Sequence, residues 1–321
     1  MSLSLLVVGA ACDGDGGEGG GDERAGQTPS EARTSEVTEI AVGAGAREVA
    51  VSAGAVWVVD DVDETVVRID AGTGEVTDEI EVQSPRGIAA TDDAVWVGGS
   101  ELSRIDPNSL AVTAVVPMTA GSTVDGVAAD DETAWVTTEG GLLVEVDAAT
   151  NSVVEEIPID GRFPKVAVGE DAVWVTPGEF GASELQRVDP ESAESTTIDL
   201  EGEQLGSVTA GNDAAWVVRD EVEVCRIATD TEFDCADLGL DALDDDIQSI
   251  AFGEGALWAA VQGDAITDEG YRVLRIDPES LVVLGEIDTP GASFFDIAAG
   301  EGAAWVTDAI AQDSSVFKIE T

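Results

Sequence analysis

A chain of 321 residues with 67 acidic and 14 basic side chains carries a formal charge of -53 at neutral pH. A surface of that sign repels phosphate backbones, which excludes nucleic acid as a partner. The chain has no histidine, so the commonest general base and metal ligand is missing, and no catalytic or metal-binding residues are assigned.

The N-terminus has two parts. Residues 1–11 form a signal-like apolar segment of small and aliphatic side chains, too short to span a bilayer. Residues 12–35 are rich in Gly, Asp, Glu, Ser and Thr and read as a disordered acidic tether. This order resembles a bacterial lipoprotein signal, which implies that Cys12 is the lipidated first residue of a mature protein anchored outside the cell membrane. Alternatives are a secreted protein with an ordinary cleaved signal, or a ragged N-terminus. With Cys12 set aside, Cys225 and Cys235 remain, flanking a turn around Thr229 to Thr231. An oxidising compartment would let them form a disulfide across the hairpin.

From residue 36 onward one pattern repeats. Trp57, Trp96, Trp135, Trp174, Trp216, Trp258 and Trp305 lie 39, 39, 39, 42, 42 and 47 residues apart. Seven positions before each stands a small residue in an apolar run: Ala50, Ala89, Ala128, Ala167, Thr209, Ala251 and Ala298. A period near 40 residues marks a repeat architecture whose units bury their apolar faces only against neighbours. In the first repeat the pattern predicts strands A (47–52), B (55–60), C (65–70) and D (75–82), joined by short Gly- and Asp-containing turns. The expectation is an all-β domain over 36–321, a seven-bladed β-propeller of four-stranded antiparallel blades. The seventh repeat lacks strand D, and residues 36–42 have strand D character, so the N-terminal strand is expected to close the last blade.

The run Ile88-Ala89-Ala90, Ala94-Val95-Trp96-Val97, Arg104-Ile105-Asp106-Pro107 resembles the repeat of YVTN-type propellers and of the virginiamycin B (streptogramin) lyase-like group. Members of the lyase group use histidine and a divalent metal, so no catalytic residue carries over to this histidine-free chain. Asp70-Ala71-Gly72-Thr73-Gly74 resembles part of a quinoprotein repeat, but the tryptophan that follows there is missing, and no quinone cofactor is expected.

Strand alternation places the D-to-A and B-to-C connections on one face of the disc and the monotonous A-to-B and C-to-D turns on the other. The loop-rich face holds the longest B-to-C excursions, 262–271, 308–314 and 177–183, and variable loops on a rigid scaffold commonly carry binding. Six basic residues map there: Arg47, Arg86, Arg162, Lys165, Arg219 and Arg272. So do the off-pattern aromatics Phe163, Phe180, Tyr271, Phe294 and Phe295. Arg47, Arg86 and Lys165 begin strands A, which line the axis. With Asp125, Asp296, Arg219, Arg272, Tyr271 and Phe294 they form a candidate ligand site at the channel mouth. The same basic side chains would alternatively offset Asp125, Asp296 and Glu48. The other cations, Arg68, Arg104, Arg187, Arg226, Arg275 and Lys318, share one strand C position, where Glu145 is the exception, and are expected to pair with carboxylates. The acidic runs 60–64 and 241–246 offer oxygen ligands for Ca²⁺ but lack EF-hand spacing, so they read as solvated loops and no cofactor is assigned.

The functional expectation is a non-catalytic, monomeric binding propeller outside the membrane, taking an anionic or carbohydrate-like ligand. Two alternatives stand beside it. One is a lyase-like or hydrolytic enzyme using acidic channel residues such as Asp125 and Asp296. The other is a sensor or assembly platform for a protein partner.

Overall fold

The structure is a computed structural model that describes residues 36–321 except 120–121, 162–163, 179–180, 212, 230–231, 242, 264–270, 291–292 and 310–313; the side chains of Thr229 and Phe294 are likewise outside the described set. The expectations for Cys12, the segments 1–11 and 12–35, Arg162, Phe163 and Phe180 therefore lie outside the described residues.

Short turns force each apolar run to pair with the one before it, and the strands follow in chain order. After β1 (Val37–Gly43), the first blade is β2 (Ala46–Ser52), β3 (Ala55–Asp60), β4 (Thr65–Asp70) and β5 (Val76–Glu81). The second is β6 (Ile88–Ala90), β7 (Val95–Val97), β8 (Leu102–Asp106) and β9 (Ala111–Val116). The third is β10 (Val124–Ala129), β11 (Thr133–Thr138), β12 (Leu142–Asp147) and β13 (Ser152–Pro158). The fourth is β14 (Lys165–Val168), β15 (Val173–Thr176), β16 (Glu184–Val188) and β17 (Ser195–Asp199). The fifth is β18 (Leu205–Ala210), β19 (Ala215–Arg219), β20 (Glu223–Thr229) and β21 (Glu232–Asp237). The sixth is β22 (Asp246–Gly253), β23 (Ala256–Gln262), β24 (Arg272–Ile276) and β25 (Val283–Asp288). The seventh combines β26 (Phe294–Gly300), β27 (Ala303–Asp308) and β28 (Ser314–Glu320) with β1 as its outermost strand. β1 runs antiparallel to β28, with Val37 opposite Ile319 and Ile40 opposite Val316. The chain is a seven-bladed β-propeller closed by its N-terminal strand.

The seven-residue offset in the sequence is a direct pairing. Ala50 faces Trp57, Ala89 faces Trp96, and the same register recurs as far as Ala298 and Trp305. A small residue opposite each indole leaves room for the ring, which packs against the next blade. Trp57 lies with Ile88 and Val95 of the second blade, Trp135 with Val173 and Val175 of the fourth, and Trp305 with Val49 and Val58 of the first. The core is thus a ring of inter-blade seams, because a single four-stranded sheet buries neither face alone. Close approach also dictates glycine: a Cβ on Gly87 would overlap the Asp125 carbonyl oxygen of the next blade, and one on Gly126 would sit 2.6 Å from Thr137 Oγ1 on the neighbouring strand of its own blade.

The strand C cations lie near carboxylates, as expected, but also make a contact that this expectation did not include. Each lies directly across from a tryptophan, Arg68 from Trp57 and Arg104 from Trp96, for example. The Arg68, Arg104, Arg187 and Arg275 guanidinium carbons stand 5.5–5.8 Å from the ring centroids, and Lys318 Nζ stands 5.4 Å from that of Trp305. Adjacent strands bring the side chain over the indole face, where the ring quadrupole attracts it. Lys318 adds a contact to Glu320 at 3.5 Å.

The Asp-x-x-Thr motif holds the C-to-D turns through its own hydrogen bonds. Asp70 Oδ1 accepts the Thr73 amide at 2.8 Å and the Thr73 hydroxyl at 3.0 Å, and Asp106, Asp147, Asp189 and Asp277 are bonded in the same way to the residue three positions on. These bonds to the ionised form hold the five carboxyls below the usual aspartate range. Cys225 and Cys235 lie opposite each other on β20 and β21 and form a disulfide.

Candidate functional site

Counting two residues back from the small residue of each innermost strand gives a single ring around the axis: Glu48, Gly87, Gly126, Lys165, Ser207, Ser249 and Asp296. The next residues along, such as Val49 and Ile297, turn into the seams. In five blades the innermost pair shifts register at this level, between Ala46 and Val49, Val124 and Gly126, Leu205 and Val208, Ile247 and Ser249, and Phe294 and Ile297. A bulge leaves a residue unpaired and re-aims its side chain. Here the bulges carry Arg47, Glu48, Asp125, Ser207, Gln248 and Asp296 to the channel.

Buried threonines two residues beyond the tryptophan fasten several bulges to the next blade. Thr307 Oγ1 accepts the Asp296 amide at 3.0 Å and donates to the Arg47 carbonyl at 2.5 Å. Thr137 bonds the Pro164 carbonyl and Thr176 the Gly206 carbonyl, at 2.7 and 2.9 Å. All three are fully buried, so these bonds are needed to satisfy their hydroxyls.

Two cavities share this ring. An inner one of about 510 Å³ follows the axis, and its charged lining groups are Glu48, Lys165 and Asp296. An outer one of about 480 Å³ opens at the loop-rich face, with Arg47, Arg86, Asp61 and Asp125 on its wall. Glu48 and Lys165 border both.

At the mouth the cations are held in pairs. Arg47 bonds Asp61 at 2.8 Å and lies 4.7 Å from the Phe295 ring centroid. Arg86 bridges Asp125 at 2.6 Å and Glu139 at 2.8 Å, and the Asp125 hydrogen bond raises its already high pKa further. Lys165 Nζ meets Glu48 Oε1 at 3.1 Å, and the Glu48 charge, followed by those of Asp296 and Asp125, raises the lysine pKa against the cost of burial. Half of the Lys165 side chain stays accessible because it borders the open channel, although protein surrounds it at depth.

Asp296 is the most perturbed acid. Burial at the axis and the nearby Glu48 charge push its pKa up to about 7, despite hydrogen bonds from the Val49 amide at 3.0 Å and the Ser249 hydroxyl at 2.7 Å and the pull of Lys165. Ser207 Oγ lies 3.3 Å from Ser249 Oγ and accepts the Ile250 amide, which extends the polar chain into the fifth blade.

Of the residues selected from sequence, the structure brings Arg47, Arg86, Asp125, Lys165 and Asp296 together at the channel. Arg219, Arg272 and Tyr271 are elsewhere. Arg219 ends a second strand and bonds Glu223 and the Leu200 carbonyl. Arg272 opens a third strand and takes Asp245 through both oxygens. Tyr271 is buried against the seam around Trp258. Only innermost strands reach the axis, which is why a shared face does not put these three in the channel. The Phe294 side chain lies outside the described residues, whereas Phe295 lines the inner cavity. Sequence reasoning missed Ser207, Ser249, Gln204 and Gln248. For Ser207 and Ser249 the signal was the fixed offset from tryptophan, read one ring further. The acidic run 60–64 is a turn in which buried Asp60 accepts the Ala44, Val62 and Asp63 amides.

No protein-family model matches the sequence, and no curated protein matches it. Among solved structures, hydrazine synthase of Kuenenia stuttgartiensis is similar over 94% of this chain and 99% of that one, with TM-score 0.71 and 16% identity. The structure titled U3-55K is similar over 89% and 98% respectively, with TM-score 0.73 and 11% identity. These likenesses give the fold alone. At such identity a propeller carries over no chemistry, so function has to be argued from the channel residues.

Proposed function

We propose that the protein is a binding propeller displayed outside the membrane, whose channel mouth takes a small polyhydroxylated, carbohydrate-like ligand. The observation that carries this reading is the set of fixed ion pairs Arg47–Asp61, Arg86–Asp125 and Lys165–Glu48 around a cavity of about 480 Å³. Such pairs present donors and acceptors side by side, which suits hydroxyl groups. They also weaken the case for an anionic ligand, since each cation is already neutralised. Support for an extracytoplasmic, lipid-anchored protein of the YVTN-type or virginiamycin B lyase-like kind comes from Cys12 behind its apolar segment, the strand motif around Trp96, and the Cys225–Cys235 disulfide, which suits an oxidising compartment. A thermal-shift screen of neutral, acidic and basic monosaccharides tests the reading. Neutral sugars should stabilise the wild type, and the Arg86→Ala/Lys165→Ala double variant should lose that response; equal stabilisation of both proteins would refute it.

One observation favours a second reading, acid–base catalysis. Asp296 titrates near neutrality beside Ser249 and Glu48, as a general acid or base must. Recovery of a bound sugar chemically unchanged after prolonged incubation would remove this alternative.

A further inference from the structure

The charged lining of the inner cavity is unbalanced. Its charged lining consists of two carboxylates, Glu48 and Asp296, and one ammonium, Lys165. Lys165 is bonded to Glu48, so among the described residues Asp296 has no ion-pair partner within hydrogen-bonding distance. The other nearby cations point elsewhere: Arg47 is held by Asp61, and Arg86 by Asp125 and Glu139. Each Asp296 oxygen accepts one hydrogen bond and retains a lone-pair direction, and Glu48 Oε2 has no partner among the described residues. The remaining wall mixes serine and glutamine with Val51, Ile88, Val127 and Phe252, so it can cover the carbon skeleton of a ligand.

We propose that the inner cavity seats a ligand ammonium group between Asp296 and Glu48, so that the molecule selects an amine-bearing polyol over its neutral and anionic counterparts. The inference rests on the binding reading above and names the ligand class. An added cation restores balance between two carboxylates and two ammonium groups in a confined site, where uncompensated charge is costly. Where Asp296 is protonated it releases its proton to solvent as the ammonium enters, so that one positive charge arrives and one leaves; where it is already ionised, the ammonium cancels the excess negative charge. The groups that set this titration are Glu48 on the first blade and Lys165 on the fourth, with Ser249 and the Val49 amide as hydrogen-bond donors.

The test is calorimetric titration of the full chain with N-methylglucamine, sorbitol and gluconate, three acyclic polyols that differ in charge, at pH 6 and pH 8. A carboxyl titrating near 7 is about one-tenth ionised at pH 6 and nine-tenths at pH 8, so N-methylglucamine should bind about tenfold more tightly at pH 8. Sorbitol should bind more weakly and without pH dependence, and gluconate more weakly still. Asp296→Asn should reduce N-methylglucamine to the sorbitol level and remove its pH dependence. Should that variant fail to fold, Lys165→Met serves instead: it should lose sorbitol yet retain or tighten N-methylglucamine. Equal affinity for N-methylglucamine and sorbitol at pH 8 overturns the ammonium site while leaving the polyol reading intact. Binding of N-methylglucamine alone upholds the site and removes the polyol reading, and binding of neither overturns both.

Discussion

A tryptophan flanked across two strand pairs by a small residue and a cation recurs in six of the seven blades, and the third blade shows what happens when the cation is replaced. There Glu145 stands opposite Trp135 on one side and Glu155 on the other. Burial, then repulsion from Glu155, Asp147 and Asp130, raises its pKa. Glu145→Arg should restore the ring contact and remove the repulsion, stabilising the protein by about 0.5–1 kcal/mol. Thermal denaturation reads this directly, and a lower melting temperature would mean that the strand has no room for the guanidinium. Asp296 gives a second residue-level expectation. Its folded-state pKa lies above the unfolded value, so the stability it contributes is complete below about pH 4 and is lost as pH rises through about 7. The turn aspartates have the opposite sign: their depressed pKa values contribute stability above about pH 4 that is lost as acid protonates them. Asp296→Asn should therefore flatten the decline in stability between pH 4 and 7 and leave the acid limb unchanged, which denaturant titrations at stepped pH would resolve.

Among the elements, the innermost strands do two jobs at once, since their ends at the small residues build seams and their bulged ends build the site. A bulge is held only where its backbone groups find partners, and Thr307 supplies two of them for the seventh and first blades. Thr307→Val keeps the shape but leaves the Asp296 amide and the Arg47 carbonyl without this partner, at a cost of about 1–3 kcal/mol. Ligand affinity should fall as well, because the same bonds aim Asp296 and Arg47. A variant of wild-type stability in urea would show that water replaces the hydroxyl. The two features were unequally legible from sequence. Strands 55–60 and 65–70 were bounded correctly because turn chemistry and apolar runs are local. The bulges were invisible, because an extra residue breaks the two-residue alternation by which a strand's faces are read.

For the whole molecule, closure and charge act together. β1 pairs with β28 to join the ends of the chain, so the seam around Trp305 forms only when the ring is complete. A formal charge of -53 opposes that compaction through self-repulsion. Salt shortens the screening length from about 10 Å at 0.1 M to about 3 Å at 1 M, so the melting temperature should rise over this range. Calorimetry in sodium chloride would check it, and a flat or falling trend would show that the carboxylates are spaced too widely to repel.

The sequence by itself determined the repeat, the blade count, the closing strand and the Cys225–Cys235 pair, since each depends on local turns and a period that one chain displays along its length. Tertiary structure decided that the strand C cations rest on indoles. It also decided that Arg219, Arg272 and Tyr271 stand apart from the channel, and that Glu48, Lys165, Ser249 and Asp296 meet in it. Those groups come from four different blades, up to 248 positions apart between Glu48 and Asp296. Their meeting depends on ring closure and, for Glu48 and Asp296, on bulges that turn them toward the axis, and neither is written in any one repeat.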